Sequence, residues 1–145
     1  MEVRSASPEE TQHLAAELAA RIISEKQPRG TATIIALEGE LGAGKTTFVQ
    51  GFIRALGVTE SVRSPTFLLM KTYAIKNRML YHIDCYRVRD SQDLVNLEIK
   101  SIFGDPQNIV LIEWPERIAD IIPEQKITVH LDHVDATVRQ ISVLP

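Results

Sequence analysis

Apolar positions along this chain follow two rhythms, and the switches between them mark its elements. Leu14, Leu18 and Ile22 recur every four residues with Ala15, Ala19 and Ile23 beside them, the stripe of an amphipathic helix. Ser7-Pro8-Glu9-Glu10 supplies its start: a capping serine, a proline at the first helical position and a glutamate three residues past the cap. The helix ends before Pro28. Residues 31–37 are a β-branched apolar run, the mark of a buried strand. Phe48, Val49, Phe52, Ile53 and Leu56 return to helical spacing, and Gly57 stops them.

Residues 67–74 and 79–83 predict two strands around the turn Lys76-Asn77-Arg78, a hairpin. Asp90 is placed to cap a short helix bearing Leu94 and Leu97. Residues 108–112 are a second buried apolar strand, closed by Glu113-Trp114-Pro115. Ile127, Val129 and Leu131 alternate with polar neighbours, as do Ile141 and Val143, which gives a late hairpin with one wet face. The order predicts an α/β fold: one domain over 1–145, with a mainly parallel central sheet, flanking helices and added antiparallel hairpins.

Composition narrows this further. A chain of 145 residues has room for one domain, and 44% hydrophobic with 24% charged residues is the balance of a folded globular protein. No apolar run approaches the roughly 18 residues of a membrane span. The start, Met1-Glu2-Val3-Arg4-Ser5, lacks a signal peptide's apolar core, and the single cysteine, Cys85, has no internal partner. A cytoplasmic, reducing location is expected. The net charge of −3 disfavours autonomous binding to DNA or RNA, where counterion release rewards basic proteins. Locally the sign inverts: Lys71, Lys76, Arg78, Arg87 and Arg89 face only Asp84. That segment reads either as a solvated hairpin or as a surface that meets an anionic partner.

The chemistry concentrates in Gly39-Glu40-Leu41-Gly42-Ala43-Gly44-Lys45-Thr46, which fits G-x-x-x-x-G-K-[ST] between a buried strand and an amphipathic helix. Gly42 and Gly44 let successive backbone N–H groups turn toward a phosphate, and the helix N-terminus adds its positive end. Lys45 is then expected on the β and γ phosphates and the Thr46 hydroxyl on Mg²⁺.

Such a loop needs an acid at a neighbouring strand end. Glu113 has that position, to hold Mg²⁺ directly or through water, or to orient the attacking water; the alternative is a surface glutamate. Trp114, the only tryptophan, adjoins it. A second acid is Asp84: if its strand continues, His82, Asp84 and Tyr86 share one face and Cys85 points the other way into the core. Thr66, in Ser64-Pro65-Thr66-Phe67, stands where nucleotide switches sense a γ-phosphate, though the segment also reads as an ordinary strand-entry turn. His130 and His133 have no acid at metal-site spacing and read as surface residues.

Residues 37–48 around the phosphate loop, then Ser64-Pro65-Thr66-Phe67, His82-Ile83-Asp84-Cys85-Tyr86-Arg87 and Ile112-Glu113-Trp114-Pro115 together resemble the bacterial TsaE (YjeE) ATPases. These are small phosphate-loop proteins of tRNA threonylcarbamoyladenosine modification. The resemblance implies ATP/ADP and Mg²⁺ as cofactors. It places Gly42, Ala43, Gly44, Lys45, Thr46 and Thr47 around the phosphates and Thr46 and Glu113 at the metal. It makes Thr66 switch-like, Asp84 essential for hydrolysis and Trp114 a neighbour of the nucleotide. Thr11 and Arg139 become candidates for the adenine, although the family's Gly-Arg reads Val138-Arg139 here. A family glycine is also replaced near Glu98. The implied partner is the TsaD–TsaB heterodimer, with tRNA met only through that complex and neither membrane nor DNA involved.

Two other classes compete. A small-molecule kinase would use the same loop, but no segment after Thr46 offers several arginines as a lid. A GTP switch would carry Asn-Lys-x-Asp, which is absent. Phosphoryl transfer is often accelerated by an arginine from outside, and no arginine here is clearly placed in cis, with Arg63 and Arg87 left open. Slow hydrolysis alone and activation by partners are therefore expected.

Overall fold

The structure, a computed structural model, describes residues 1–25, 30–60 and 69–145. Among the described residues, seven strands form one sheet, β1 (Glu2–Ser5), β2 (Thr33–Glu38), β3 (Met70–Ile75), β4 (Arg78–Asp84), β5 (Asn108–Glu113), β6 (Ile127–His133) and β7 (Arg139–Leu144), in the order β1-β7-β6-β2-β5-β4-β3. β4, β5, β2 and β6 run parallel at the centre, while β3, β7 and β1 pair antiparallel at the sides. The predicted α/β class and mainly parallel sheet are what is observed.

Helix α1 (Pro8–Ser24) starts as its sequence dictates. The Ser7 hydroxyl accepts the Glu10 N–H at 3.1 Å, and the Glu10 carboxylate reaches back to the Ala6 N–H at 2.7 Å. Helix α2 (Lys45–Ala55) packs against it on one face of the sheet. The contact is close at Gly51, where an added Cβ would stand 2.6 Å from the backbone of Gln12. Ile35, Leu37, Leu80, Ile109 and Leu111 carry this face of the core; Ile34, Ile83, Val110 and Ile112 carry the other.

Several expectations need correction. β1 was not anticipated: four residues of mixed polarity are too short to announce a strand, and β7 selects them by antiparallel pairing. Asp90 does cap, accepting the Gln92 N–H at 2.9 Å, but Ser91–Leu97 is a 3-10 helix. It is followed by an unforeseen helix, α3 (Ile99–Gly104), on the far face of the sheet. The joint between them is Glu98, whose φ of 52° keeps the left-handed geometry a glycine would favour. In the basic segment, Arg78 is structural, its guanidinium bonding the Gln107 carbonyl and the Thr33 hydroxyl, while Lys76, Arg87 and Arg89 are exposed. Helix α1 ends at Ser24, before Pro28 as expected, while the start of the expected strand at 67 lies outside the described residues. Among the described residues, no helix is long and apolar enough to cross a membrane.

Candidate active site

Parallel pairing brings the C-terminal ends of β2, β5 and β4 to one edge, the usual place for a ligand in an open α/β sheet. β2 runs into the phosphate loop, which turns at Gly39, Gly42 and Gly44 with φ of 149°, 79° and 101°. At Gly39 a side chain would meet the Leu131 carbonyl at 2.6 Å, so the loop also needs glycine to pass beside β6. Ala43 is buried and contributes to the core.

A cavity of about 370 Å³ opens here, lined by Gly42, Gly44, Lys45, Thr46, Thr47, Asp84, Tyr86, Glu113, Trp114 and Arg139. Lys45 is buried at 6% exposure. Its ammonium donates to the Gly39 carbonyl and lies 3.4 Å from the Trp114 ring centroid. Burial lowers its pKa from the usual lysine value, against the opposing charges of Glu113, Glu116, Asp84 and Glu40. Trp114 reaches it because the chain turns left-handed at φ 58°, between the end of β5 and Pro115.

Glu113 is a buried residue, 3% exposed, and so not the surface glutamate of the alternative reading. In the sheet register it faces Asp84. Its Oε2 lies 2.7 Å from His82 Nε2, so His82 partners Glu113 and not the acid beside it in sequence. This contact has no local signal, since it depends on which strand pairs with β4. Tyr86 leaves the predicted shared face: β4 ends at Asp84, whose carboxylate accepts the Tyr86 N–H at 3.0 Å and turns the chain. Tyr86 instead packs on Trp114, ring centroids 5.2 Å apart. Cys85 is buried as expected, and burial, with the nearby acids adding, pushes its thiol up to about 12.

Thr11 and Arg139, far apart in sequence, meet at a second, smaller cavity of about 190 Å³ that shares Gly44 and Thr47 with the first. The Thr11 hydroxyl is buried against Ser5 Oγ at 2.7 Å. Arg139 ties the loop after β6 to the phosphate loop, donating to the Asp135 carbonyl at 2.8 Å and to the Gly42 carbonyl at 3.2 Å. Val138 in place of glycine does not keep Arg139 from this position. His130 is half-buried rather than a plain surface residue, and acids stand beside it: its ring nitrogens lie 3.0 Å from Asp132 and 3.3 Å from Glu38. Thr66 and Arg63 lie outside the described residues, and Arg87 does not line the cavity.

Among the described residues no group of three His, Cys, Asp or Glu side chains could hold a metal. A Mg²⁺ carried on phosphates would keep several waters and need few protein ligands. The Thr46 hydroxyl and the Glu113 carboxylate fit it.

Comparison with known proteins follows the same lines. The family profile "Threonylcarbamoyl adenosine biosynthesis protein TsaE" matches residues 5–141. The "tRNA threonylcarbamoyladenosine biosynthesis protein TsaE" of Haemophilus influenzae is 38% identical over 120 residues, covering 83% of this chain and 72% of that one. The protein of the same name from Bacillus subtilis is 34% identical over 139 residues, covering 96% and 82%. The crystal structure of Bacillus subtilis YdiB superposes with a TM-score of 0.76 at 30% identity, covering 99% of this chain and 83% of that one.

Proposed function

This chain belongs to the TsaE family, and from that premise we propose that it serves tRNA threonylcarbamoyladenosine biosynthesis by binding Mg-ATP and hydrolysing it in step with a TsaD–TsaB heterodimer. The observation that carries this reading is the facing of Lys45 and Thr46, on the phosphate loop, by Asp84 and Glu113 across one cavity. A basic group for phosphate, a hydroxyl for the metal and acids for water thus come from separate elements of one sheet edge.

Each residue then has a task. The loop N–H groups and the Lys45 ammonium would hold the phosphates, and Thr46 with Glu113 would hold Mg²⁺, which when bound would supply positive charge beside the phosphates. Asp84 or Glu113 orients the attacking water. Thr11 and Arg139, which line the cavity beyond Gly44, would take the adenine. Among the described residues the arginine lining the site is Arg139, and backbone carbonyls engage its guanidinium on the loop side. An arginine supplied by a partner would make up for this, so turnover alone is slow. The net charge of −3 suits a chain that leaves the tRNA to its partners.

Phosphate release from Mg-ATP, measured alone and with the TsaD–TsaB pair, tests the proposal. We expect slow turnover alone, a sharp rise with the pair, and loss of both in Lys45→Ala. Turnover indifferent to the pair would sink the partner-dependent mechanism and direct the search to small-molecule acceptors.

A further inference from the structure

His82 lies on β4 with its imidazole 1% exposed, two residues before Asp84 and on the sheet face that carries α1 and α2. It does not line the cavity; Glu113, its partner, does. A carboxylate only accepts, so Nε2 carries the proton in this 2.7 Å bond. The other ring nitrogen, Nδ1, is buried and has no hydrogen-bond partner among the described residues. A histidine serving only as filler beside Leu80 and Leu111 would be better replaced by leucine, which leaves no desolvated nitrogen. The orphaned Nδ1 is tolerated where the bond at Nε2 has a use.

We propose that His82 is a positioning residue that holds the Glu113 carboxylate in its metal- and water-facing orientation, an inference that rests on the ATPase reading above. The bond anchors Oε2 from inside the sheet and so restricts rotation of the carboxylate about its terminal torsion. β4 thereby performs two tasks: His82 orients Glu113, and Asp84, opposite Glu113 in the register, supplies the second acid. Partners of this kind are typically worth ~10–100-fold in metal affinity or activity.

The test compares the parent with His82→Leu, His82→Gln and Glu113→Gln, and with the Leu and Glu113→Gln changes combined. Two quantities are read: phosphate release, and the Mg²⁺ concentration that half-saturates the magnesium-dependent part of ADP binding. His82→Leu should lower kcat and raise the Mg²⁺ requirement by ~10–100-fold. ADP affinity in EDTA should stay within about threefold, because the phosphate loop is untouched. The Gln amide places an N–H near the former Nε2 and should restore most of both. In the Glu113→Gln background the Leu change should add little further loss. If His82→Leu does not fold, His82→Asn replaces it, since its shorter amide does not reach Glu113.

A folded Leu or Asn variant with the parent's Mg²⁺ requirement and turnover would overturn the proposal, as would a Gln variant impaired as much as the Leu. A parent that shows no magnesium-dependent phosphate release would overturn the ATPase reading itself.

Discussion

The ammonium of Lys45 lies 3.4 Å from the centroid of the Trp114 ring while it donates to the Gly39 carbonyl. Sixty-nine positions apart in sequence, the two residues meet because β2 and β5 pair in parallel and each ends in a tight turn at the same edge. The lysine of the glycine-rich loop is thus held inside the cavity by a carbonyl and an aromatic face, contacts that phosphates, in the proposed function, would supplement or replace.

In the proposed role of Lys45, replacing it by Ala removes a charged hydrogen bond to phosphate, worth roughly 1.5–3 kcal/mol. We expect ADP affinity to fall by ~10–150-fold in titration calorimetry. Parent-like affinity would detach Lys45 from the phosphates.

Asp84→Ala and Glu113→Gln should cost turnover ~100-fold or more. Their ADP affinities in EDTA should stay within about threefold, because in the proposed roles both acids act on water and metal and not on the diphosphate itself. Parallel loss of binding and turnover would count against these roles.

Gly51→Ala tests the packing of α1 on α2. At an exposed helix position this change stabilises by about 1 kcal/mol. Here the new methyl meets the Gln12 backbone at 2.6 Å, so a net loss of about 1–3 kcal/mol is expected in urea unfolding. A gain would mean that the helices part easily.

Glu98→Gly has the opposite sign. A left-handed residue with a Cβ costs about 1–2 kcal/mol, and glycine's larger unfolded-state entropy returns part of it. The melting temperature should rise, with a net gain of about 0.5–1 kcal/mol. A fall would show that the Glu98 side chain matters more than its backbone.

His130 gives the pH prediction. Burial works against its charged form, but hydrogen bonds to Asp132 and Glu38 outweigh that and raise its pKa above the usual 6.5. A raised folded-state pKa stabilises fully below the unfolded value and loses that contribution as pH rises through the folded one. Relative to His130→Gln, the parent should therefore be more stable at pH 5.5 than at pH 8.5. The difference should be only about a few tenths of a kcal/mol, because the cluster is largely solvated. A pH-independent difference would dissolve the cluster.

The sequence by itself determined what is local or periodic. The cap at Ser7, the helical stripe of Leu14 and Leu18, the two apolar strands and the glycines of the phosphate loop each announce themselves within a few residues. So did the position of Glu113, because a carboxylate after four apolar residues is a strand end. Tertiary structure alone decided what crosses between strands. It paired His82 with Glu113, set Trp114 over Lys45, brought Thr11 to Arg139 and recruited Glu2–Ser5 as an edge strand. The physical reason is that period-two alternation assigns a side chain to a face but not to a neighbour. Neighbours follow from strand order and register, which the burial of the whole sheet fixes at once.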